Sequence, residues 1–100
     1  MRVSAEQGRD MTQRKDIDGM RRKRDIDGLV GALSERAESV RLTAAEALGT
    51  VGDERALGPL ERLKFSDPDA GVRRVASVAH ARVAARLADR KAAEGISRGP

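Results

Sequence analysis

Apolar residues recur three or four positions apart through most of the chain, and charged residues fill the positions between them. The clearest stripe is Ile26, Leu29, Val30 and Leu33, which share one face of a helix. The apolar content is mostly Ala, Val and Leu, and Phe65 is the one aromatic residue. Small apolar side chains favour closely packed helices, because strands are enriched in β-branched and aromatic residues. The pattern predicts an all-α fold.

Five helices are predicted from these stripes and from the turns between them. They are expected near residues 15–23, 25–35, 39–50, 54–65 and 71–93. The positions predicted to face inward are Ile26, Leu29, Val30, Leu33, Val40, Ala44, Ala47, Leu48, Val51, Ala56, Leu57, Leu60, Leu63, Val72, Val75, Ala76, Ala79, Val83 and Leu87. Residues 1–13 are polar without a period, and residues 94–100 contain Gly, Ser and Pro, so both are expected to be disordered. One helical domain of residues 14–93 remains.

Turn residues indicate where the helices begin and end. Gly52 follows the third helix, and Asp53 is suited to cap the fourth because its carboxylate meets free N–H groups there. Asp25 is suited to start the second helix for the same reason. Pro59 is tolerated in a first turn, which favours either a start of the fourth helix near residues 55–57 or a bend.

One segment of the chain returns 32 residues later in a weaker form. Residues 40–53 and residues 72–83 both open with Val-Arg and continue as an Ala-rich helix. A period of this length is typical of stacked helix pairs, each of which buries its apolar face against its neighbours. In the second copy His80 replaces Leu48 and the Gly-Asp turn is absent. The fifth helix is therefore expected to continue past this point and to close the stack.

Three segments in succession along the chain resemble HEAT repeats. Residues 40–53 read Val-Arg-Leu-Thr-Ala-Ala-Glu-Ala-Leu-Gly-Thr-Val-Gly-Asp, residues 54–60 place Ala, Pro and Leu on a second helix, and residues 67–73 read Asp-Pro-Asp-Ala-Gly-Val-Arg. The short HEAT-like repeat first described in phycobilisome lyases has the same features in the same order. The resemblance covers residues 25–87 and implies a short α-solenoid, or alpha-alpha superhelix, of about two and a half helix pairs.

The resemblance also implies roles for four charged residues. Arg41 and Arg73 occupy the position of an Arg that in the family tends to pair with turn acids, such as Asp69 or Asp53 in this sequence. A guanidinium is suited to such bidentate pairing with a carboxylate. Arg41, Arg73, Asp53 and Asp69 are therefore expected to be structural.

The resemblance indicates a class of function and not a specific partner. It implies a non-catalytic protein-interaction module, a scaffold or adaptor, whose partner is another protein. The second helices of the pairs line the inner surface of HEAT-like stacks, and the outward residues expected to contact a partner are Glu35, Glu61, Arg62 and Lys64. Self-association into a homo-oligomer is an alternative, because a short stack has open ends.

Positive charge is concentrated near the start of the chain. The net charge is +4, and the excess lies in residues 1–24, whereas residues 25–87 are close to neutral. A basic run forms a candidate patch for nucleic-acid phosphates: Arg21, Arg22, Lys23 and Arg24. No aromatic residue lies nearby to stack on bases, and such runs are usually solvated helix ends. Nucleic acid is therefore the alternative partner, and a protein is the favoured one.

The sequence contains no recognisable catalytic, metal-binding or cofactor-binding motif. His80 has no acid three or four residues away, and the chain has no Cys. The Asp-Ile-Asp-Gly sequences at residues 16–19 and 25–28 lack the third alternating acid and the closing Glu of a calcium loop. We therefore expect no enzyme activity and no cofactor. No apolar run approaches the ~20 residues of a membrane helix, and the absence of Cys fits the cytoplasm.

Overall fold

The computed structural model describes the backbone of residues 14–97 and the side chains of residues 16–93. This part of the chain contains five helices and no strand, so the all-α prediction is confirmed. The helices are α1 (Arg14–Lys23), α2 (Ile26–Ala32), α3 (Glu38–Val51), α4 (Glu54–Ser66) and α5 (Ala70–Ser97).

The five helices form two packed rows. Helices α1, α3 and α5 follow one another in the first row, α2 and α4 pack together in the second, and α5 covers both α3 and α4. Each of the first two pairs buries its apolar face against the next, as expected of a solenoid. The architecture is a short α-solenoid of about two and a half helix pairs.

One continuous apolar core lies between the two rows. Most of the predicted inward positions are buried, among them Leu29, Leu48, Leu60, Val72 and Val83. The others are half-buried at the edge of the core: Val30, Val51, Leu57, Leu63, Val75 and Leu87. The prediction missed three of the buried hydrophobic residues, which are Ile17, Ala32 and Ala45. Because α1 contributes Ile17, it is an integral part of the stack.

Gly49 lies at a close contact between α3 and α5. A Cβ built on Gly49 would lie 3.2 Å from both the Cα and the Cβ of Ala79 on α5. Such a separation is shorter than ordinary carbon contacts of about 3.5–4.0 Å. With alanine at position 49, α5 would have to move by a few tenths of an ångström.

Helix α2 is shorter than predicted. It ends at Ala32, whereas a helix to about residue 35 was predicted. Beyond it the amides of Leu33, Ser34 and Glu35 donate to carbonyls three residues back, the tighter turn common at helix ends. The carbonyls of Glu35 and Arg36 accept from the Arg41 guanidinium, which draws this segment onto α3.

Pro59 lies inside α4 instead of in its first turn. The helix begins at Glu54, with Asp53 as its N-cap as predicted, and it continues through Pro59 to Ser66. Proline has no N–H, so the helix lacks the bond that this residue would donate to the carbonyl of Arg55. The Asp53 cap and the buried side chains of α4 outweigh that loss.

Helix α5 extends further than predicted. It contains 28 residues and ends at Ser97, whereas disorder was expected from residue 94. The residues from 88 to 94 are mostly Ala, Arg, Lys and Glu, which are strong helix formers. The rest of the expected disordered tails, residues 1–13 and 98–100, lies outside the described range.

Candidate interaction surfaces

A buried carboxylate lies at the turn between α4 and α5. The side chain of Asp67 is 2 % exposed, and its two oxygens accept from the Arg41 guanidinium, at 2.7 Å from Nε and 3.1 Å from the second terminal nitrogen. One of these oxygens also accepts from the amide of Asp69 at 2.9 Å. Every buried side-chain polar atom in the described part of the chain has a partner. The turn is thus fixed by a bidentate ion pair to α3.

Arg41 and Arg73 both converge on this turn. Arg41 donates to the carbonyls of Glu35 and Arg36, at 3.0 and 2.7 Å, besides its ion pair with Asp67. Arg73 donates to the backbone carbonyl of Asp67 at 2.6 Å. Two arginines one repeat apart therefore act on the same turn.

The acid that pairs with Arg41 differs from the two that the resemblance suggested. Its carboxylate partner is Asp67, which is a turn acid as expected but neither of the two acids given as examples, Asp53 and Asp69. Those two acids cap helices instead: Asp53 accepts from the amide of Arg55 at 3.0 Å, and Asp69 from the amide of Val72 at 3.0 Å. A carboxylate at a helix start is occupied by the free N–H groups of the first turn.

The pKa values of two of these acids are displaced from the ordinary range. Burial of Asp67 raises its pKa, but the hydrogen bonds from Arg41 and from the Asp69 amide and the charges of Arg41 and Arg73 outweigh burial, so the net effect lowers the pKa. The hydrogen bond from the Arg55 side chain is the main cause of a lowered pKa at Asp53. Both carboxylates are therefore ionised in the folded chain at neutral pH.

A groove of about 560 Å³ runs between α2 and α4 beside this turn. Its apolar lining comes from Val30, Leu33, Pro59 and Leu63. Its polar and charged lining comes from Ser34, Glu35, Arg36, Arg41, Arg62, Ser66 and Asp67, with Pro68 at one end. We call this feature the α2–α4 groove. It combines an apolar floor with a charged rim, as small binding sites commonly do.

Two of the four residues predicted to contact a partner line the α2–α4 groove. Glu35 and Arg62 line it, whereas Glu61 and Lys64 are not part of its lining. Lys64 lies over the ring of Phe65, with its ammonium 5.1 Å from the ring centre. Arg36, in the turn after α2, also lines the groove and was not among the residues predicted to contact a partner.

The basic run at the end of α1 is partly neutralised. Asp18 pairs with Arg21 at 2.5 Å and with Arg22 at 3.0 Å, and the hydrogen bond from Arg21 lowers the pKa of Asp18. Lys23 and Arg24 are exposed. The free positive charge is therefore smaller than the sequence run indicates.

Arg24 holds a left-handed backbone conformation, with φ of 56°. Its amide donates to the carbonyl of Arg21, and the amide of Asp25 donates to the carbonyl of Met20. This pair of bonds is the Schellman motif that ends α1, and glycine is the usual residue at the left-handed position. An arginine there is a departure from the usual sequence.

Arg86 on α5 binds the end of α3, which no sequence feature foretold. It donates to the carbonyl of Gly49 at 2.7 Å and to that of Gly52 at 2.8 Å. These carbonyls belong to the last turn of α3, where free acceptors and the negative end of the helix dipole favour a cation. The contact spans more than thirty residues of chain, so only the fold brings its members together.

His80 is half-buried on α5, and residues 16–93 contain no group of three His, Asp or Glu side chains placed to hold a metal ion. Among helices α1 to α5, none combines the length and the apolarity needed to cross a membrane.

Comparison with known proteins gives one family. The family model for HEAT repeats matches residues 15–81. No curated protein matches the chain, and no solved structure does. The matched range begins in α1 and ends within α5, so it reaches all five helices, α5 only in part, and includes the α2–α4 groove.

Proposed function

Because the chain belongs to the HEAT-repeat family, we propose that it is a non-catalytic protein-interaction module, a scaffold or adaptor. Its partner is an extended segment of another protein, which lies in the α2–α4 groove. The single observation that carries this proposal is the groove itself, where an apolar floor and unpaired charges occur on α2 and α4.

The lining of the groove indicates the chemistry of that segment. Val30, Pro59 and Leu63 offer half-buried apolar surface that a partner's aliphatic or aromatic side chain would cover. Arg36 and Arg62 are exposed on the rim. The negative charge of Glu35 offsets one of these two positive charges, so one positive charge is in excess. The segment therefore carries an apolar residue close to an acidic one.

A protein partner is better supported than nucleic acid. Asp18 occupies two of the four basic residues of the run at the end of α1. The one aromatic side chain, Phe65, is covered on one side by Lys64 instead of lying beside that run. The cytoplasm is the compartment that we propose for this interaction, since the chain has no Cys.

Selection from a library of random twelve-residue peptides, displayed on phage and challenged with the full chain, tests this proposal. We expect enriched peptides to combine an apolar and an acidic residue. Arg62→Glu should weaken their binding about tenfold or more, because it places like charges together on the rim. Fluorescence anisotropy with one labelled peptide measures the dissociation constant.

Lys64→Glu is the matched control. It makes the same change of charge on the same helix, two residues away and outside the groove, and should leave the affinity within about twofold. Equal losses for the two variants would mean that general charge, and not the groove, determines binding. Peptides that bind Arg62→Glu as well as the natural chain would refute the site.

A further inference from the structure

A second cavity, of about 590 Å³, opens at the other end of the helices. It is bounded by the α1–α2 turn, the α3–α4 turn and the part of α5 that runs past both. Four arginines from these three places line it, namely Arg24, Arg55, Arg86 and Arg90. We call this feature the arginine cavity. It shares no lining residue with the α2–α4 groove and does not depend on the function proposed for that groove.

Two of the four guanidinium groups are already engaged within the fold. Arg55 pairs with Asp53 at 2.9 Å, and Arg86 donates to the carbonyls of Gly49 and Gly52. Arg86 still has N–H groups to offer, because a guanidinium has five and these bonds use two. Within the described part of the chain, the side chains of Arg24 and Arg90 make no hydrogen bond and no ion pair.

The same cavity gathers two features that work against folding. Arg24 holds a left-handed backbone that glycine would adopt at lower cost. Arg86 and Arg90 are four residues apart on one helix face, and like charges at this spacing repel each other. Local strain and repulsion at one place are typical of sites shaped for a ligand, which here would be an anion.

We propose that the arginine cavity binds the dianion of a phosphate monoester. Guanidinium groups that reach it from three parts of the chain suit a tetrahedral group with three acceptor oxygens, whereas a planar carboxylate is satisfied by one guanidinium. Asp53 and Glu54 in the lining disfavour a longer polyanion. No aromatic side chain lines the cavity, so it offers no platform for stacking bases.

A titration of the ¹⁵N-labelled full chain with O-phosphoserine amide tests the proposal. We expect saturable shifts at the amides of residues 50–55, with inorganic phosphate acting at the same amides. Acetate should bind at least tenfold more weakly. Acetate that binds as well as phosphate, duplex DNA that binds more tightly than the monoester, or the absence of saturation by either phosphate would each overturn the assignment.

Arg90→Gln should weaken phosphoserine binding about tenfold or more, the effect of one charge-assisted hydrogen bond. Arg90 is exposed, so the variant should fold. Arg82→Gln is the control, because it removes an exposed arginine of the same helix that is not part of the lining. An unchanged affinity in Arg90→Gln, or an equal loss in Arg82→Gln, would show that the cavity is not the site.

Arg24→Gly separates binding from folding. Glycine relieves the left-handed backbone, so the melting temperature should stay the same or rise. The affinity for phosphoserine should nevertheless fall about tenfold. Arg24→Lys, which keeps the charge, should retain most of the affinity. If Arg24→Gly binds phosphoserine as tightly as the natural chain does, this arginine has no part in the site.

Discussion

The carboxylate of Asp67 joins two helices and a turn at one point. It receives the guanidinium of Arg41 from α3 and the amide of Asp69 from its own turn, and it is nearly inaccessible to solvent. A buried charge without its partner is costly, because neither water nor protein compensates it. At the residue scale, stability thus depends more on this pair than on any exposed ion pair.

Removal of the carboxylate should therefore be strongly destabilising. In Asp67→Ala we expect a loss of about 3 kcal/mol in the free energy of unfolding, since Arg41 stays behind in a largely buried position. Urea denaturation followed by circular dichroism measures the change. Arg22→Gln, which breaks an exposed pair with Asp18, should leave the midpoint unchanged, and a comparable loss there would contradict this account.

Substitution of two helical glycines by alanine should change the stability of the chain in opposite directions. Gly49→Ala brings a methyl group against Ala79 across the α3–α5 contact, and such overpacking costs about 1–3 kcal/mol. Gly19→Ala meets no atom within 4 Å in α1 and should gain about 0.5–1 kcal/mol from helix propensity. Thermal unfolding of both variants tests the pair, and a stabilised Gly49→Ala would show that α5 can move aside.

At the scale of elements, α5 differs from the others because it has two unlike halves. Its first half buries Val72, Ala76, Ala79 and Val83 against α3 and α4. The second half extends past the α3–α4 turn, and there all side chains from residue 88 to residue 93 are exposed. The missing Gly-Asp turn is what lets the helix continue, as the comparison of the two repeat copies predicted.

Truncation should distinguish the two halves. A chain that stops at residue 91 keeps every buried contact of α5, so its melting temperature should match that of the full chain. A chain that stops at residue 84 loses the two carbonyl contacts of Arg86 and the half-buried Leu87, and it should lose about 2 kcal/mol or more. Equal stability of the two truncated chains would mean that Arg86 does not secure α3.

The whole molecule carries ionised acids at both ends of its helices. Asp67 lies at the α4–α5 turn and Asp53 at the α3–α4 turn, and each has a pKa below the ordinary value of 3.8. A group whose pKa is lowered on folding stabilises the chain above its unfolded pKa, and that contribution is lost as the pH falls through the folded pKa. A fall in pH should therefore remove stabilising contributions at both ends of the helices over the same range of pH.

A pH series of thermal melts checks this expectation. On account of these two groups, the melting temperature should be level from neutrality down to about pH 5 and should fall below about pH 4. Asp67→Asn starts from a lower melting temperature and should lose less on acidification, because one of the carboxylates with a lowered pKa is gone. Parallel curves for the two proteins would exclude Asp67 as a source of the acid loss.

The apolar period of the sequence was enough to place the helices and most of the core. The residues of an apolar stripe, such as Ile26, Leu29 and Leu33, are buried because a helix with this pattern must remove its apolar face from water. The Asp53 cap and the all-α architecture followed from local rules as well. These features depend on residues within a few positions of one another, which is the range that a sequence pattern expresses.

The contacts between distant parts of the chain came only from the tertiary structure. Arg41 pairs with Asp67, and Arg86 donates to a carbonyl at the end of α3. Pattern and spacing do not relate the residues of either contact, and they did not predict that α2 ends early. Both candidate sites are of this kind, because a groove or cavity exists only where helices meet. The sequence determined which faces are buried, and three-dimensional packing decided which charges remain free at their edges.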